Sequence, residues 1–144
     1  MCSSDLAQLK QMWCAAEADG VILTVTSAYR SYATQKQLFN DYAASHGEAE
    51  ADTFSARPGQ SEHQLGTTLD FNSKGGTDGW DWLAENAHNY GFAMSYPEDA
   101  REITGFIYEP WHYRYIGVAA AGEWKKSGLV LCQYLELQPQ FWKQ

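Results

Sequence analysis

Basic residues are scarce in this 144-residue chain, where ten lysines and arginines stand against eighteen aspartates and glutamates and the formal net charge is −8. A nucleic-acid binder needs a basic surface that displaces counterions from phosphates, so this balance argues against a nucleic-acid partner. An anionic membrane surface is disfavoured for the same reason. Charged residues make up only 19% of the chain and hydrophobic residues 44%, a composition that favours a folded domain over a disordered chain.

Long apolar runs are also missing from the sequence. The longest ones, such as residues 21–25 and 118–121, are far shorter than the roughly 20 residues that a helix needs to cross a bilayer. Residues 1–5 lack the basic stretch and the apolar stretch of a secretory signal peptide. The sequence therefore predicts no transmembrane segment, and we expect either a cytosolic protein or one whose leader is absent from this chain.

Cysteine is rare as well. Cys2, Cys14 and Cys132 are an odd number at unrelated spacings, with no Cys-x-x-Cys pair among them. This pattern argues against a disulfide framework and against a zinc site built from cysteines. Cys14 falls on the apolar side of a predicted helix, where a free cysteine behaves as a small hydrophobic residue, and we expect it to be buried.

The length fits one domain with one sizeable core. Because the sequence contains no internal repeat and no low-complexity linker, it predicts a single domain over residues 1–144. Helices are expected up to Gly20 and at 33–44, 80–90, 118–126 and 129–137, and strands at 21–26, 66–72, 91–97 and twice within 104–115. Residues 48–60 are small and polar and predict a long loop of functional importance. Helices and strands that do not alternate strictly indicate an α+β fold.

Two histidines lie in contexts that suggest metal binding. His63 precedes Asp70 by seven residues, and a turn at Gly66 leading into a strand could aim both side chains at one point. With His112, they would offer two nitrogens and one carboxylate oxygen, a three-ligand set that leaves the fourth zinc position open, as catalytic zinc requires. The spacing alone is equally compatible with ordinary loop histidines and a turn aspartate.

Two further residues could supply chemistry to such a site. Glu109 lies three residues before His112, and a carboxylate beside a zinc-bound water is the general base of hydrolytic zinc sites; the alternative is a solvated carboxylate at the end of a strand. Arg30 directly follows a predicted strand, where a cation could stabilise an oxyanion or hold a substrate carboxylate. An arginine there could equally be a partner in a surface salt bridge.

Three motifs, taken together, resemble those of VanY-type D-alanyl-D-alanine carboxypeptidases. They are Ser-x-Tyr-Arg-Ser at residues 27–31, Ser-x-His-x-x-Gly-x-(Ala/Thr)-x-Asp at 61–70 and Glu-x-Trp-His-x-Arg-Tyr at 109–115, in the order found in that family. The family belongs to the zinc peptidase superfamily that also contains lysostaphin and sonic hedgehog. The resemblance extends from about residue 6 to 137, and it implies a single zinc carboxypeptidase catalytic domain with a small antiparallel sheet and flanking helices.

The resemblance implies a role for each motif residue. It makes His63, Asp70 and His112 the ligands of one Zn²⁺ ion. It makes Glu109 the general base, and it gives Arg30 the task of steadying the developing oxyanion.

Weaker correspondences imply the substrate contacts. By resemblance, Gln35 lines the substrate pocket, and Ser55, Ser61 and Tyr96 occupy positions that look like peptide-contacting ones. Trp111, between Glu109 and His112, is expected to pack against the wall of the site.

The implied function is zinc-dependent D,D-carboxypeptidase activity on the terminal D-Ala-D-Ala bond of peptidoglycan stem peptides. Two alternatives keep the same chemistry: an L,D-carboxypeptidase acting on tetrapeptide stems, or a peptidoglycan endopeptidase. A more distant alternative is a non-catalytic zinc-binding module, which would need neither Glu109 nor Arg30. Because the substrate lies in the cell envelope, the resemblance implies an extracytoplasmic protein, expected to be a monomer, whose leader or anchor is absent from this chain.

Overall fold

A four-stranded antiparallel sheet lies at the centre of the computed structural model, which describes residues 3–74 and 78–138. The strands are β1 (Ile22–Ser27), β2 (Thr68–Lys74), β3 (Phe92–Met94) and β4 (His112–Tyr115), in the order β1-β2-β4-β3. The helices are α1 (Ser3–Ala18), α2 (Tyr32–His46), α3 (Glu48–Ala51), α4 (Asp78–Asn86), α5 (Arg101–Thr104), α6 (Val118–Ser127) and α7 (Leu131–Glu136). Single 3₁₀ turns span Glu62–Leu65 and Ala87–Tyr90. The α+β class with a small antiparallel sheet is confirmed.

Strand alternation gives the sheet two unlike faces. Successive side chains of a strand point to opposite faces, and the ladder between β2 and β4 places Leu69 opposite Tyr113 and Asp70 opposite His112. Leu69 and Tyr113 are almost fully buried in the hydrophobic core. Asp70 and His112 therefore lie on the other face, directly across the ladder from each other.

The apolar face is covered by α1, α4 and α6. Met12 from α1 and Leu83 from α4 are fully buried against Phe71 and Phe92 of the sheet. The Phe71 ring makes edge-to-face contacts with Phe92 and Tyr113 at centroid distances of 6.1 and 6.0 Å, an arrangement that aromatic pairs favour. This cluster is the core of the described domain.

Two glycines permit turns that bring the site together. Gly66 ends the 3₁₀ turn that contains His63 with φ 75°, a left-handed conformation that glycine adopts without a steric penalty. The chain then turns directly into β2 and Asp70. Gly91 ends the second 3₁₀ turn with φ 89°, and a Cβ atom there would lie 2.6 Å from the Tyr115 ring.

Two predicted segments differ from the structure. Residues 48–60 contain the short helix α3, because Glu48 and Glu50 favour a helix N-terminus. Only one strand forms within 104–115, since the extended residues before Pro110 bond to loop carbonyls instead of a ladder: Ile107 N–H donates to Thr53 and Glu109 N–H donates to Tyr96.

Cys14 is exposed rather than buried. The buried residues of α1 include Met12 and Ala16. Cys14 is two residues from each of them, and two residues correspond to about 200° around a helix. Cys2 lies outside the described residues. Within the described ranges, no helix combines the length and apolar character needed to cross a membrane.

Candidate metal centre and active site

His63, Asp70 and His112 converge on one point at the polar face of the sheet. One donor atom from each lies within 4.8 Å of the other two. Asp70 Oδ2 is 3.3 Å from His63 Nε2, and Asp70 Oδ1 is 3.2 Å from His112 Nδ1. Both histidines are buried, at 3% and 5% exposure. The structure thus brings together the three residues that the sequence analysis selected as metal ligands.

Each imidazole is oriented by a partner behind it. His63 Nδ1 is 2.7 Å from the carbonyl oxygen of Ala28, which can only accept, so Nδ1 carries a proton and Nε2 is the nitrogen that faces Asp70. His112 is turned the other way: its Nε2 is 3.0 Å from Glu62 Oε2, and its Nδ1 faces Asp70. The two rings are nearly perpendicular, with centroids 5.0 Å apart.

The donor set suits a divalent cation. Asp70 Oδ1 is buried and has no hydrogen-bond partner in the described structure, although His112 Nδ1 lies close by. Burial would raise the pKa of Asp70, but the nearby His112 and His63 outweigh it and hold the pKa well below its usual range. An ionised carboxylate oxygen and two imidazole nitrogens, with one buried oxygen left unpaired, form the kind of site that zinc prefers.

The carboxylates around His112 favour the protonated form of its imidazole. Burial lowers the pKa of His112, but contacts with Asp70 and Glu62 and the charge of Glu109 prevail and raise it to about 9. Without a cation, the site therefore holds a proton on His112. A metal ion would displace this proton, since metal ligands must be deprotonated.

Glu109 lies beside the cluster and is 7% exposed. Its Oε2 is 3.4 Å from His112 Nδ1. Burial raises the pKa of the Glu109 carboxyl. The positive charges of His112 and Arg30 lower this pKa, whereas the negative charges of Asp70 and Glu62 raise it further, and the resulting value is about 7. A carboxyl group with a pKa near neutrality can both take and return a proton at physiological pH.

Arg30 reaches the same cavity from the loop after β1. Its Nη1 donates to Gln35 Oε1 at 2.8 Å and its Nη2 to Ser27 Oγ at 2.9 Å. Its backbone N–H donates to the carbonyl of His63 at 3.1 Å. The guanidinium is thus fixed in one orientation, next to the turn that presents His63.

Gln35 does not line the cavity, contrary to the sequence prediction. It lies on α2 with no exposed surface. Its Oε1 accepts from Arg30, and its Nε2 donates to the carbonyl of Ala56 at 2.6 Å. Because both ends of the amide are engaged with the protein, Gln35 supports Arg30 from behind instead of facing the solvent.

A cavity of about 310 Å³ opens over the cluster. Four residues predicted as substrate contacts line it, namely Ser55, Ser61, Tyr96 and Trp111. Apolar side chains that the sequence analysis did not select complete the wall: Leu38, Tyr42, Phe54, Phe106 and Ile107. Trp111 also contacts Trp80, with ring centroids 5.8 Å apart, in agreement with a packing role at the site wall.

Three polar residues around His112 were missed by the sequence analysis. Glu62 accepts from Ser95 Oγ at 2.6 Å and from Arg114 Nη1 at 3.2 Å, in addition to its contact with His112. Burial would raise the pKa of Glu62, but His112, Ser95 and Arg114 together lower it to about 2. The available signals were the position of Glu62 immediately before His63 and that of Arg114 within the third motif.

A His-Asp-His cluster with a buried glutamate at its cavity is the arrangement of ligands and base that hydrolytic zinc sites require. The profile of the VanY D-alanyl-D-alanine carboxypeptidase family matches residues 3–118. The chain belongs to this family, as its three motifs had indicated.

Individual relatives agree with this assignment. The chain is 41% identical over 143 residues to a D-alanyl-D-alanine carboxypeptidase of Enterococcus faecalis, with 90% of this chain and 53% of the relative covered. The chain thus spans about half the length of the curated relatives it matches.

Solved structures resemble the whole described fold. VanYB in complex with D-alanine-D-alanine has a TM-score of 0.87 and 39% identity, covering 93% of this chain and 81% of that one. A mutant of VanY from a VanB-type resistance cassette, in complex with Zn(II), has a TM-score of 0.87 and 38% identity, covering 94% and 83%. The LD-carboxypeptidase LdcB has a TM-score of 0.86 and 37% identity, covering 94% and 68%.

Proposed function

We propose that this chain is the catalytic domain of a zinc-dependent D,D-carboxypeptidase that removes the terminal D-alanine from peptidoglycan stem peptides. The observation that carries the proposal is the convergence of His63, Asp70 and His112 within 4.8 Å, with Glu109 beside them. The similarity to VanYB, which binds D-alanine-D-alanine, supports the substrate. The similarity to a Zn(II)-bound VanY supports the metal.

The metal would be held by His63 Nε2, a carboxylate oxygen of Asp70 and His112 Nδ1. Three protein ligands leave a position for water or substrate. When bound, zinc lowers the pKa of a water ligand toward about 7 and polarises a carbonyl group. The site offers the ion two neutral nitrogens and one negative charge, and the burial of both histidines limits competition from bulk water.

Glu109 is the general base of the proposed reaction. Its carboxylate accepts a proton from the water that attacks the scissile carbonyl and then returns a proton to the leaving amine of D-alanine. Its pKa of about 7 suits both transfers. A module that only binds zinc would have no use for a buried carboxyl group tuned in this way.

Arg30 would stabilise the oxyanion that develops during the attack. A guanidinium interacts more strongly with a full negative charge than with a neutral carbonyl, so its contribution is largest in the transition state. The contacts with Ser27 and Gln35 hold Arg30 in place before the substrate arrives. A preorganised cation needs little rearrangement during the reaction.

The cavity over the proposed metal ligands would hold the end of the stem peptide. Its polar residues Ser55, Ser61 and Tyr96 can form hydrogen bonds with a peptide backbone, and its apolar wall, including Trp111, can contact the methyl groups of alanine. A peptidoglycan substrate places the proposed site of action outside the cytoplasm. We propose that the domain acts there as a monomer.

Products of synthetic stem peptides test the specificity. The zinc-loaded protein is incubated with a pentapeptide stem ending in D-Ala-D-Ala and with a tetrapeptide stem ending in a single D-alanine, and the products are identified by mass. We expect loss of one D-alanine from the pentapeptide. Cleavage of the tetrapeptide alone would instead identify an L,D-carboxypeptidase, to which the similarity with LdcB lends weight. Cleavage inside the stem would identify an endopeptidase.

A further inference from the structure

Glu62 is a partly buried carboxylate next to the three proposed metal ligands, and the proposed reaction gives it no role. We propose that Glu62 is a positioning residue: by accepting a hydrogen bond from His112 Nε2, it fixes the tautomer and orientation of the imidazole so that Nδ1 is presented to the metal. The inference rests on the proposed metal site and is independent of which stem peptide is cleaved.

The contact determines which nitrogen of His112 carries the proton. Glu62 Oε2 lies 3.0 Å from His112 Nε2. A carboxylate can only accept, so Nε2 must donate, and in a neutral ring the lone pair is then on Nδ1. Nδ1 is the nitrogen that faces Asp70 Oδ1, at 3.2 Å. The opposite tautomer would direct an N–H group at the metal and could not ligate it.

Glu62 is itself held from two further sides. The hydroxyl of Ser95 donates to Oε2 at 2.6 Å, and Arg114 Nη1 donates to Oε1 at 3.2 Å. Arg114 follows His112 by two residues on β4 and therefore lies on the same face of the sheet. With both carboxylate oxygens engaged, the acceptor for His112 cannot rotate away.

The two histidine ligands are thus oriented by different groups. His63 donates to a neutral backbone carbonyl, that of Ala28, whereas His112 donates to a charged carboxylate. A carboxylate behind a ligating imidazole also increases its basicity, and loss of such a partner typically lowers metal affinity about 10- to 100-fold. Only the His112 partner can be removed by a side-chain substitution.

Zinc affinity is the first test, measured without substrate by competition with a chromophoric chelator. Glu62→Ala should bind zinc about 10- to 100-fold more weakly than the wild type. Glu62→Gln should lose about tenfold, because its amide places a donor or a neutral oxygen where Arg114 and His112 both require a charged acceptor. Glu85→Gln, an exposed carboxylate on α4, is the matched control and should not change the affinity.

The tautomer of His112 is the second test, because a merely structural role would not alter it. Nitrogen-15 NMR of the zinc-loaded protein should show His112 protonated at Nε2 and metal-bound through Nδ1. In Glu62→Ala the Nε2 proton should exchange faster with water or a second ring form should appear, while His63, held by Ala28, keeps its signals. His63 thereby serves as an internal reference.

Unchanged zinc affinity and an unchanged His112 tautomer in folded Glu62→Ala would overturn the proposal. Circular dichroism of the metal-free variants establishes folding. If Glu62→Ala does not fold, Glu62→Gln decides: affinity within about twofold of the wild type would overturn the inference, and a tenfold loss would support it. A failure of D-alanine release with normal zinc binding would contradict the proposed function alone, so the two failures are distinguishable.

Discussion

On one face of the central sheet, Leu69, Phe71 and Tyr113 pack beneath helices in a core that excludes water. On the other face, at the adjacent positions of the same two strands, Asp70 and His112 project toward a cavity. Burial on the first face stabilises the fold by removing apolar surface from water. Burial on the second face brings charged groups out of water, which raises the energy of the ionised forms.

The difference separates stability from chemistry within a few ångströms. The apolar face needs only shape and hydrophobicity, whereas the two histidines on the other face each have a defined partner, Ala28 for His63 and Glu62 for His112. Burial also raises the pKa of Glu109, and the charges around Glu109 do not cancel this effect. Substitutions on the two faces should therefore change different measurable quantities.

The largest effect is expected from Glu109→Gln on the polar face. The amide has nearly the same shape but cannot accept a proton from water, so kcat should fall about 10³-fold, or about 4 kcal/mol in the activation free energy. Zinc content should stay at the wild-type level, because Glu109 is not one of the clustered donors. Activity within about tenfold of the wild type would show that another group is the base.

Leu83→Ala, on the helix that covers the apolar face, should lower stability and leave kcat almost unchanged. Leu83 is fully buried, and truncation of such a residue leaves a cavity that costs about 3 kcal/mol of unfolding free energy. We expect the melting temperature to fall by roughly 10 °C, with kcat at 25 °C changed by less than about twofold. Leu6→Ala is the matched control, because Leu6 is 60% exposed and should change stability by under about 0.5 kcal/mol. A large loss of kcat with unchanged stability would break the separation of the two faces.

Arg30→Ala should lower kcat about 10²-fold, equivalent to about 2.7 kcal/mol, and raise KM much less. Arg30→Lys should restore only part of the loss, because an ammonium group cannot reproduce the planar donors that bond to Gln35 and Ser27. Steady-state kinetics with the pentapeptide measure both parameters. A raised KM with unchanged kcat would instead make Arg30 a clamp for the substrate carboxylate.

A smaller effect is expected on the stability of the metal-free protein as a function of pH. The pKa of Glu109 rises from 4.5 to about 7 on folding, so its contribution to stability is complete below pH 4.5 and is lost by about pH 7. The pKa of His112 rises from 6.5 to about 9, so its contribution is complete below pH 6.5 and is lost as the pH rises through 9. Both losses have the same sign.

Melting temperatures of the metal-free protein should therefore fall between about pH 5 and pH 9. Glu109→Gln should flatten the part of the curve below pH 7 and leave the rest. A melting temperature that rises over this range in the wild type, or a curve that Glu109→Gln leaves unchanged, would contradict the pKa shifts and their cause.

Much of the architecture could be predicted because local patterns determine it. The β-branched run before Ser27 and the spacing of apolar residues identified β1 and most helices within a few residues. A turn at Gly66 leading into a strand made the convergence of His63 and Asp70 one of two interpretations of their spacing, and the resemblance of the motifs selected it.

Other features depended on contacts that sequence does not reveal. Cys14 lies on the exposed side of α1, and a helix face cannot be assigned from a few apolar residues that surround it on both sides. Gln35 points inward to Arg30 because α2 packs against the loop at Ala56. Glu62 looks like an ordinary loop carboxylate until the fold brings Ser95, from a distant segment, within 2.6 Å.

Titration of the metal-free protein with Zn²⁺, with D-alanine release from a pentapeptide stem followed at each step, tests most directly whether the polar face is a zinc-dependent catalytic site. Activity should rise in proportion to bound zinc and level off at one ion per chain, and His112→Ala should bind less than stoichiometric zinc and release no D-alanine. Activity that does not depend on zinc, or stoichiometric zinc binding by His112→Ala at wild-type affinity, would contradict the assignment of His63, Asp70 and His112 as the metal site.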